Sequence, residues 1–304
     1  SKALQLGLIS VHVVIVTLIL SKGVREGIER WVRTVMPLFF LLIVFLIYQS
    51  LSLPGTEDAL RFMFYPNLAL LEWSSLLEAL GHVLFTLSVG IGAMVVFGSY
   101  FRKEVSVVKA GVIVASVDLL ISLMAGLVIF PIAFSGSVSI DAGQGLLFET
   151  MPLLFSRIGL GTYFGAAFFL CLYFASLVAS FALLEASVAH MQDKYSFSRT
   201  GAARFMGGVG FIISAIPIIL GLMHGEEAVL LKYDTVLIKY LLPLCALGLV
   251  WIVGYRFSPK IRKDYFISEE LPDTNVLYSS WVFTLKYGAP VLILAALFLN
   301  FIRN

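Results

Sequence analysis

A cluster of small and hydroxyl-bearing residues lies at the centre of the apolar stretch formed by residues 76–100. This stretch is long enough to cross a bilayer, because about 20 residues suffice at roughly 1.5 Å of rise each. Its middle reads TLSVGIG and contains Thr86, Ser88, Gly90 and Gly92. Glycine is a poor helix former, and small hydroxyls compete for backbone hydrogen bonds. We therefore expect the helix to unwind here and to free backbone carbonyls and amides as ligand groups.

Free backbone groups at membrane depth persist only where they are buried in protein or line a cavity. Interrupted spanning helices of this kind build the substrate and ion sites of secondary transporters. A kinked helix whose small residues allow close packing is the alternative interpretation of the same spacing.

Asp118 is a second candidate, because a carboxylate inside an apolar run costs about a few kcal/mol to insert. Ser122 lies one helical turn further on, so both side chains face the same way. His82 lies four residues before Thr86 and can approach the same interior from the broken helix. We expect Asp118 to act as a cation ligand or a proton carrier, with a neutral, hydrogen-bonded aspartate as the alternative. A satisfied hydrogen-bonding group is the favoured interpretation of His82.

The composition is that of an integral membrane protein, with 60% hydrophobic and 13% charged residues and a mean hydropathy of +0.97. A net charge of +2 is too small to indicate a nucleic-acid partner. Cys171 and Cys245 lie in apolar runs and are expected to pack as small hydrophobic residues. Glu185 also lies in an apolar run, and we expect it to be structural, either paired or snorkelling.

Eight apolar runs predict eight spanning helices, of which residues 76–100 form the broken one. The runs cover residues 3–21, 32–53, 76–100, 107–134, 162–191, 201–222, 235–255 and 279–302. Most of the 21 Lys and Arg residues lie in the connections at 22–33, 102–109, 194–204 and 256–263. The positive-inside rule assigns these connections to the cytoplasm.

Five segments resemble the neurotransmitter:sodium symporter family, and they occur in the order of that family over most of the chain. They are GIERWVRTVMP (27–37), LGHVLFTLSVGIGAMVVFGSY (80–100), AGLVIFP (125–131), GLLFETMPLLF (145–155) and FASLVASFALLE (174–185). The resemblance implies the leucine-transporter fold, an all-α inverted-repeat bundle in the membrane. The chain is similar to the fourth to eleventh helices of that fold, so three helices would precede it.

This correspondence predicts a single transmembrane domain over residues 1–304. Residues 1–53 would form the end of the first repeat, 76–255 the second repeat and 279–302 an additional helix.

The resemblance also implies a substrate site. The family's substrate contacts fall on Phe85, Thr86, Ser88 and Ile91 of the broken helix and on Leu183. Phe85 would cover the ligand, and the aliphatic Ile91 and Leu183 make this half of the pocket apolar. A hydrophobic amino acid is therefore the implied substrate class. The alternative for Phe85 and Ile91 is that they belong to the core.

Thr86 and Asp118 match side chains of the family's first sodium site, where Asp118 replaces a more usual asparagine and adds a full charge. Ser122 matches a serine of the chloride-dependent members, in which a glutamine takes the place of His82. The Asp118 carboxylate is expected to supply the negative charge that chloride provides in those members.

The family's second sodium site uses two side-chain oxygens where this chain has Val178 and Ala179. The carbonyl of Ala175 remains, but a hard cation needs more oxygens, so this site is expected to be degenerate. The resemblance also assigns the outer gate to Asp234 and the inner gate to Tyr100 with Asp193, each with a partner upstream.

These residues together predict a secondary transporter of hydrophobic amino acids in the plasma membrane, with alternating access and coupling to one sodium ion or to protons. The implied partners are an amino acid and the bilayer, a homodimer is allowed, and no organic cofactor is expected. The alternatives are a ligand-binding or sensor protein of the same fold, or an inactive fragment, either without normal sodium coupling. An intramembrane hydrolase is not favoured, because no Ser, His and Asp form a nucleophile motif.

Overall fold

The computed structural model describes residues 2–65, 68–101, 106–136, 146–156, 161–220, 235–266 and 275–302, and these parts of the chain are helical with no strand among them. The α-helices are α1 (Lys2–Ser21), α2 (Arg30–Ser50), α3 (Thr56–Phe64), α4 (Trp73–Thr86), α5 (Ala93–Ser99), α6 (Val107–Ser135), α7 (Met151–Phe155), α8 (Gly161–Tyr195), α9 (Arg199–Leu220), α10 (Leu242–Trp251), α11 (Pro259–Phe266), α12 (Asn275–Phe283) and α13 (Ala289–Ile302). Segments of π-helix lie at Val24–Glu29, Leu146–Thr150, Thr235–Leu241, Ile252–Arg256 and Thr284–Gly288, and one 3-10 turn at Leu68–Leu70.

Seven helices in the described part of the chain are long and apolar enough to cross a membrane. They are Lys2–Ser21, Val24–Ser50, Val107–Ser135, Gly161–Tyr195, Arg199–Ile219, Val236–Arg256 and Val276–Phe298. The two half-helices α4 and α5 form the interrupted eighth run. Large apolar side chains such as Leu119, Ile213 and Leu294 lie exposed on these helices, as expected for surfaces that face lipid. The prediction of an all-α membrane protein is confirmed.

The first apolar core joins α2, α6 and α8 with the segment Leu146–Phe155. Phe39 and Ile43 of α2 pack with Ile132 of α6 in this cluster. The Phe155 ring lies 5.3 Å, centroid to centroid, from the ring of Phe168. The connection between α6 and α8 therefore re-enters the protein along residues 146–155.

A second core joins α1, α8 and α9, and a third joins α4, α10 and α13. In the second, Leu20 and Phe181 pack against the small residue Ala203 of α9, which lets the helix backbones approach closely. In the third, Leu84 of the broken helix packs with Ala246. The first half of the broken helix, α4, thus packs on a different group of helices from α2 and α6.

A close backbone contact fixes the connection between α1 and α2. Gly27 is buried in the π-helical segment, and a Cβ atom added there would overlap the carbonyl oxygen of Ile19. Nothing lies within 4 Å of a Cβ atom added at Gly7, in the exposed part of α1.

We predict opposite effects on stability for alanine at these two glycines. Gly27→Ala forces the connection away from α1, so the free energy of unfolding should fall by about 1–3 kcal/mol. Gly7→Ala removes a poor helix former and should raise the free energy of unfolding by up to about 1 kcal/mol. Thermal unfolding of both variants measures the difference, and equal midpoints would contradict the prediction.

Candidate substrate and ion site

The break between α4 and α5 is a left-handed turn of the backbone. Helix α4 ends at Thr86 and α5 begins at Ala93. Between them, φ is +53° at Ser88, +95° at Gly90 and +87° at Gly92. Residues with side chains rarely adopt positive φ, whereas glycine does so without steric cost. The predicted interruption is confirmed, and the two glycines supply the conformations that a continuous helix lacks.

The turn leaves backbone oxygens without hydrogen bonds. The amide of Ser88 donates to the Phe85 carbonyl at 2.9 Å, and that of Val89 donates to Leu84 at 2.9 Å. Within the described residues, the carbonyls of Thr86, Leu87, Val89 and Gly90 accept no hydrogen bond. The Thr86 hydroxyl donates to the Val83 carbonyl at 3.3 Å. The break therefore offers several oxygens to a cation or an ammonium group.

Helix α10 supports the break from one side. A Cβ atom added at Gly90 would lie 2.7 Å from the carbonyl oxygen of Leu242 and 3.0 Å from the amide nitrogen of Ala246. Only a residue without a side chain allows this approach. Gly92 has a similar positive φ, but nothing lies within 4 Å of a Cβ atom added there.

Four of the five predicted substrate residues lie at the break or directly before it. Thr86, Ser88 and Ile91 are half-buried on the turn, whereas Phe85 is 44% exposed. Leu183 is 48% exposed on α8, the helix against which α5 packs. Among the described residues, no hydrogen bond joins these side chains, so their assignment to one pocket stays a prediction.

The predicted ion residues are distributed over separate helices. Asp118 is half-buried and Ser122 exposed on α6, and His82 is exposed on α4. Helix α6 packs against α2 and α3, whereas α4 packs against α10 and α13. In the part of the chain that the structure describes, none of these three side chains has a hydrogen-bond partner, and no three His, Cys, Asp or Glu residues are grouped as metal ligands. The proposed sodium and anion roles stay predictions.

Ala175, which matches the family's second sodium site, lies beside an apolar cavity of about 260 Å³ between α2, α6 and α8. Ala175 lines this cavity, together with Ile43, Ile121 and Phe168 among others. Val178 is half-buried and Ala179 is exposed on the same helix. Side chains of this kind provide no oxygen for a hard cation.

A buried ion pair lies at the end of the broken helix. Glu185 of α8 is fully buried, and Arg199 reaches its two carboxylate oxygens at 2.8 and 2.5 Å. The Tyr100 hydroxyl donates to the same carboxylate at 2.8 Å. Arg199 also donates through Nε to the Leu20 carbonyl at 2.7 Å and through Nη1 to Gln192 at 3.3 Å.

This network gives Tyr100, one of the predicted inner-gate residues, a partner in Glu185. Asp193 is exposed and has no hydrogen bond or ion pair among the described residues. The expectation that Glu185 is paired agrees with this geometry. Sequence reasoning missed Arg199, although a carboxylate inside an apolar run already called for a cationic partner. The predicted outer-gate residue, Asp234, lies outside the described residues.

An all-α bundle with one spanning helix broken into two half-helices defines a class of secondary transporters. The chain belongs to the sodium:neurotransmitter symporter family, whose sequence profile matches residues 2–303. This is a family of transporters rather than enzymes, and the chain is a multi-pass protein of the plasma membrane. The family resemblance seen in the sequence is therefore confirmed.

Curated relatives and a solved structure support this assignment. The chain is 29% identical to an uncharacterized sodium-dependent transporter of Haemophilus influenzae, over 95% of this chain and 64% of the relative. It is 28% identical to the uncharacterized sodium-dependent transporter YhdH of Bacillus subtilis, over 96% of this chain and 65% of the relative. The crystal structure of MhsT in complex with L-phenylalanine superposes with a TM-score of 0.80 and 31% identity, over 96% of this chain and 66% of that chain.

The chain thus has the leucine-transporter fold, as the sequence predicted, and its relatives are sodium-dependent. It spans about two thirds of the length of these proteins.

We predict that the two glycines of the break differ in their tolerance of alanine. Both substitutions strain a positive φ at a cost of about 1–2 kcal/mol. Gly90→Ala also pushes the turn away from α10 and should cost about 1–3 kcal/mol more. Thermal unfolding of Gly90→Ala and Gly92→Ala measures this difference in stability. The contact between Gly90 and α10 would be refuted if Gly92→Ala were the less stable variant.

A second prediction concerns the buried ion pair. Arg199→Met leaves the Glu185 carboxylate buried without its cation, so the free energy of unfolding should fall by about 3–5 kcal/mol. Arg204→Met, at an exposed position of the same helix, should change it by less than about 0.5 kcal/mol.

The double variant Glu185→Met with Arg199→Met replaces the pair by apolar side chains and should recover most of the lost stability. A double variant as unstable as Arg199→Met would show that the lost arginine contacts, rather than the stranded charge, cause the effect.

Proposed function

We propose that the chain forms the transport core of a sodium-coupled symporter for hydrophobic amino acids. The observation that carries the proposal is the break at 87–92, where several backbone carbonyls accept no hydrogen bond from the described residues and follow directly on the Thr86 hydroxyl at the end of α4. Oxygens of this kind replace the hydration of a sodium ion and accept hydrogen bonds from a substrate ammonium group. The single transmembrane domain, with its repeats divided at 53 and 76 as predicted above, is part of this proposal.

The substrate class follows from the side chains around the break. Phe85 and Ile91 on the broken helix and Leu183 on α8 offer apolar surface, whereas Thr86 and Ser88 offer hydroxyls. An amino acid with an apolar side chain matches this division between polar and apolar groups. The structure of MhsT, to which the chain is similar, was determined with L-phenylalanine.

Coupling is proposed to use one sodium ion. Thr86 and Asp118 would contribute to its site, and closure of that site would bring α6 towards the broken helix. The Asp118 carboxylate would balance the cation in place of chloride, beside Ser122 and His82. The second site is proposed to be degenerate, because only the Ala175 carbonyl remains beside Val178 and Ala179.

Gating is proposed to involve Tyr100 and Asp193 on the cytoplasmic side and Asp234 on the other side. The proposal allows a homodimer, because the family resemblance allows one.

The test is uptake of labelled hydrophobic amino acids into proteoliposomes that carry the complete transporter. Sodium or choline is supplied outside, with and without chloride and with and without a pH gradient. We expect sodium-driven uptake that does not need chloride. Uptake driven by the pH gradient without sodium would instead assign the coupling to protons.

We predict that Asp118→Asn makes uptake depend on chloride. Without chloride the cation loses its balancing charge, so uptake should fall at least about tenfold, the order expected when an adjacent opposite charge is removed. Chloride should restore uptake if the Ser122 hydroxyl is present, and the double variant with Ser122→Ala should not be restored. Full chloride-free activity of Asp118→Asn would exclude the proposed charge balance.

A binding or sensor protein of the same fold is the second candidate, favoured by the missing oxygens at Val178 and Ala179. Such a protein would bind labelled amino acid without exchanging it across the membrane. Binding without counterflow in the same proteoliposomes would support this candidate over transport.

A further inference from the structure

An open groove runs along α10 and α13. Its volume is about 550 Å³, and its lining consists of Leu244, Leu247, Gly248, Trp251, Tyr255 and Pro290. The first five recur at helical spacing and form one stripe along α10 and the π-helical segment that follows it. The rings of Trp251 and Tyr255 are 54% and 50% exposed. The groove is therefore an apolar surface that the described part of the chain leaves open.

The stripe has the length of one membrane leaflet. The eleven-residue step from Leu244 to Tyr255 corresponds to about 16 Å of helix, close to half of a hydrocarbon core of about 30 Å. Its aromatic end adjoins the basic connection at 256–263, which the positive-inside rule assigns to the cytoplasm. Trp and Tyr at this position are typical of the level of the lipid headgroups.

Cationic side chains converge on this aromatic end. The Arg256 guanidinium lies 5.8 Å from the Trp251 ring centroid, and the Lys286 ammonium lies 5.4 Å from that of Tyr255. The Tyr255 hydroxyl donates to the Lys286 carbonyl at 2.9 Å. A Cβ atom added at Gly254 would lie 3.6 Å from Cγ of Lys286, so the lysine stem passes over this glycine.

A buried arginine adds positive charge to the same turn. Arg262 of α11 donates to the carbonyls of Gly254 and Val253, and its Nε has no partner in the part of the chain that the structure describes. Asp264, the acidic residue of α11, is exposed and forms no ion pair among the described residues. The described part of this end is therefore positively charged.

Lys286 lies inside the apolar helix Val276–Phe298. A charged side chain within a spanning helix is costly unless it reaches the headgroup level or meets an anion. The cytoplasmic leaflet supplies anionic headgroups, whose attraction to each nearby basic residue corresponds to about a fivefold gain in affinity. A soluble anion would meet the same cations but would leave the apolar stripe empty.

We propose that this groove binds an anionic phospholipid of the cytoplasmic leaflet. One acyl chain lies along the stripe of α10, and the phosphate lies between Arg256 and Lys286. The site is independent of the proposed substrate site, because none of its lining residues belongs to the break at 87–92.

The experiment uses the complete transporter, purified in detergent and titrated with phosphatidylglycerol or phosphatidylcholine of equal chain length. Native mass spectrometry counts the lipids retained. We expect the unmodified protein to retain phosphatidylglycerol preferentially. The double variant Arg256→Gln with Lys286→Gln should lower this preference by about twenty-fivefold, the product of about fivefold for each of the two charges. Lys286→Arg should keep the preference for phosphatidylglycerol. Arg204→Gln, which removes an exposed charge on α9, should leave this preference unchanged.

A second variant tests the apolar part of the groove. Nothing lies within 4 Å of a Cβ atom added at Gly248, so Gly248→Leu fills the groove without displacing its walls. It should lower the retention of both lipids, whereas Gly208→Leu, which is equally open on α9, should not. The proposal is wrong if the glutamine double variant keeps the preference for phosphatidylglycerol, or if Gly248→Leu retains as much lipid as Gly208→Leu.

Discussion

The fully buried Glu185 carboxylate requires a cation, and the arrangement of four helices follows from how Arg199 meets that requirement. A carboxylate withdrawn from water is tolerated only when its charge is paired and its oxygens are hydrogen-bonded. Arg199, at the start of α9, binds both oxygens and also donates to the Leu20 carbonyl near the end of α1. The Tyr100 hydroxyl, at the end of the broken helix, donates a hydrogen bond to the same carboxylate. One network of charge-assisted hydrogen bonds thus joins four helices: α1, α8, α9 and the broken helix.

The broken helix is held at two points of different physical character. At its end, the Tyr100 hydroxyl donates a hydrogen bond to the charged Glu185 carboxylate. At the break, Gly90 packs directly on the backbone of α10. Between these points, α5 packs on α8, while several carbonyls of the turn accept no hydrogen bond from the described residues. A turn that is fixed at both sides holds these oxygens in place, as the proposed cation site would require.

The helices separate into groups that carry different parts of the predicted site. Helices α4, α10 and α13 share one apolar core, whereas α2, α6 and α8 share another. Thr86 belongs to the first group and Asp118 to the second. In the proposed function, the sodium site is divided between these two groups, and movement of one group relative to the other would open and close it, as alternating access requires. The proposed lipid groove lies on the first group, along α10 and α13.

The sequence by itself determined the features that depend on local chemistry. The apolar runs predicted the spanning helices and TLSVGIG predicted the break, because hydropathy and glycine conformation act within one segment. The order of its motifs also identified the family. The tertiary structure decided that Glu185 is the partner of Tyr100, that Gly90 rather than Gly92 contacts α10, and that Lys286 lies beside Tyr255. Each of these pairs residues on different helices, far apart in the chain, and only the packing of those helices sets the distance between them.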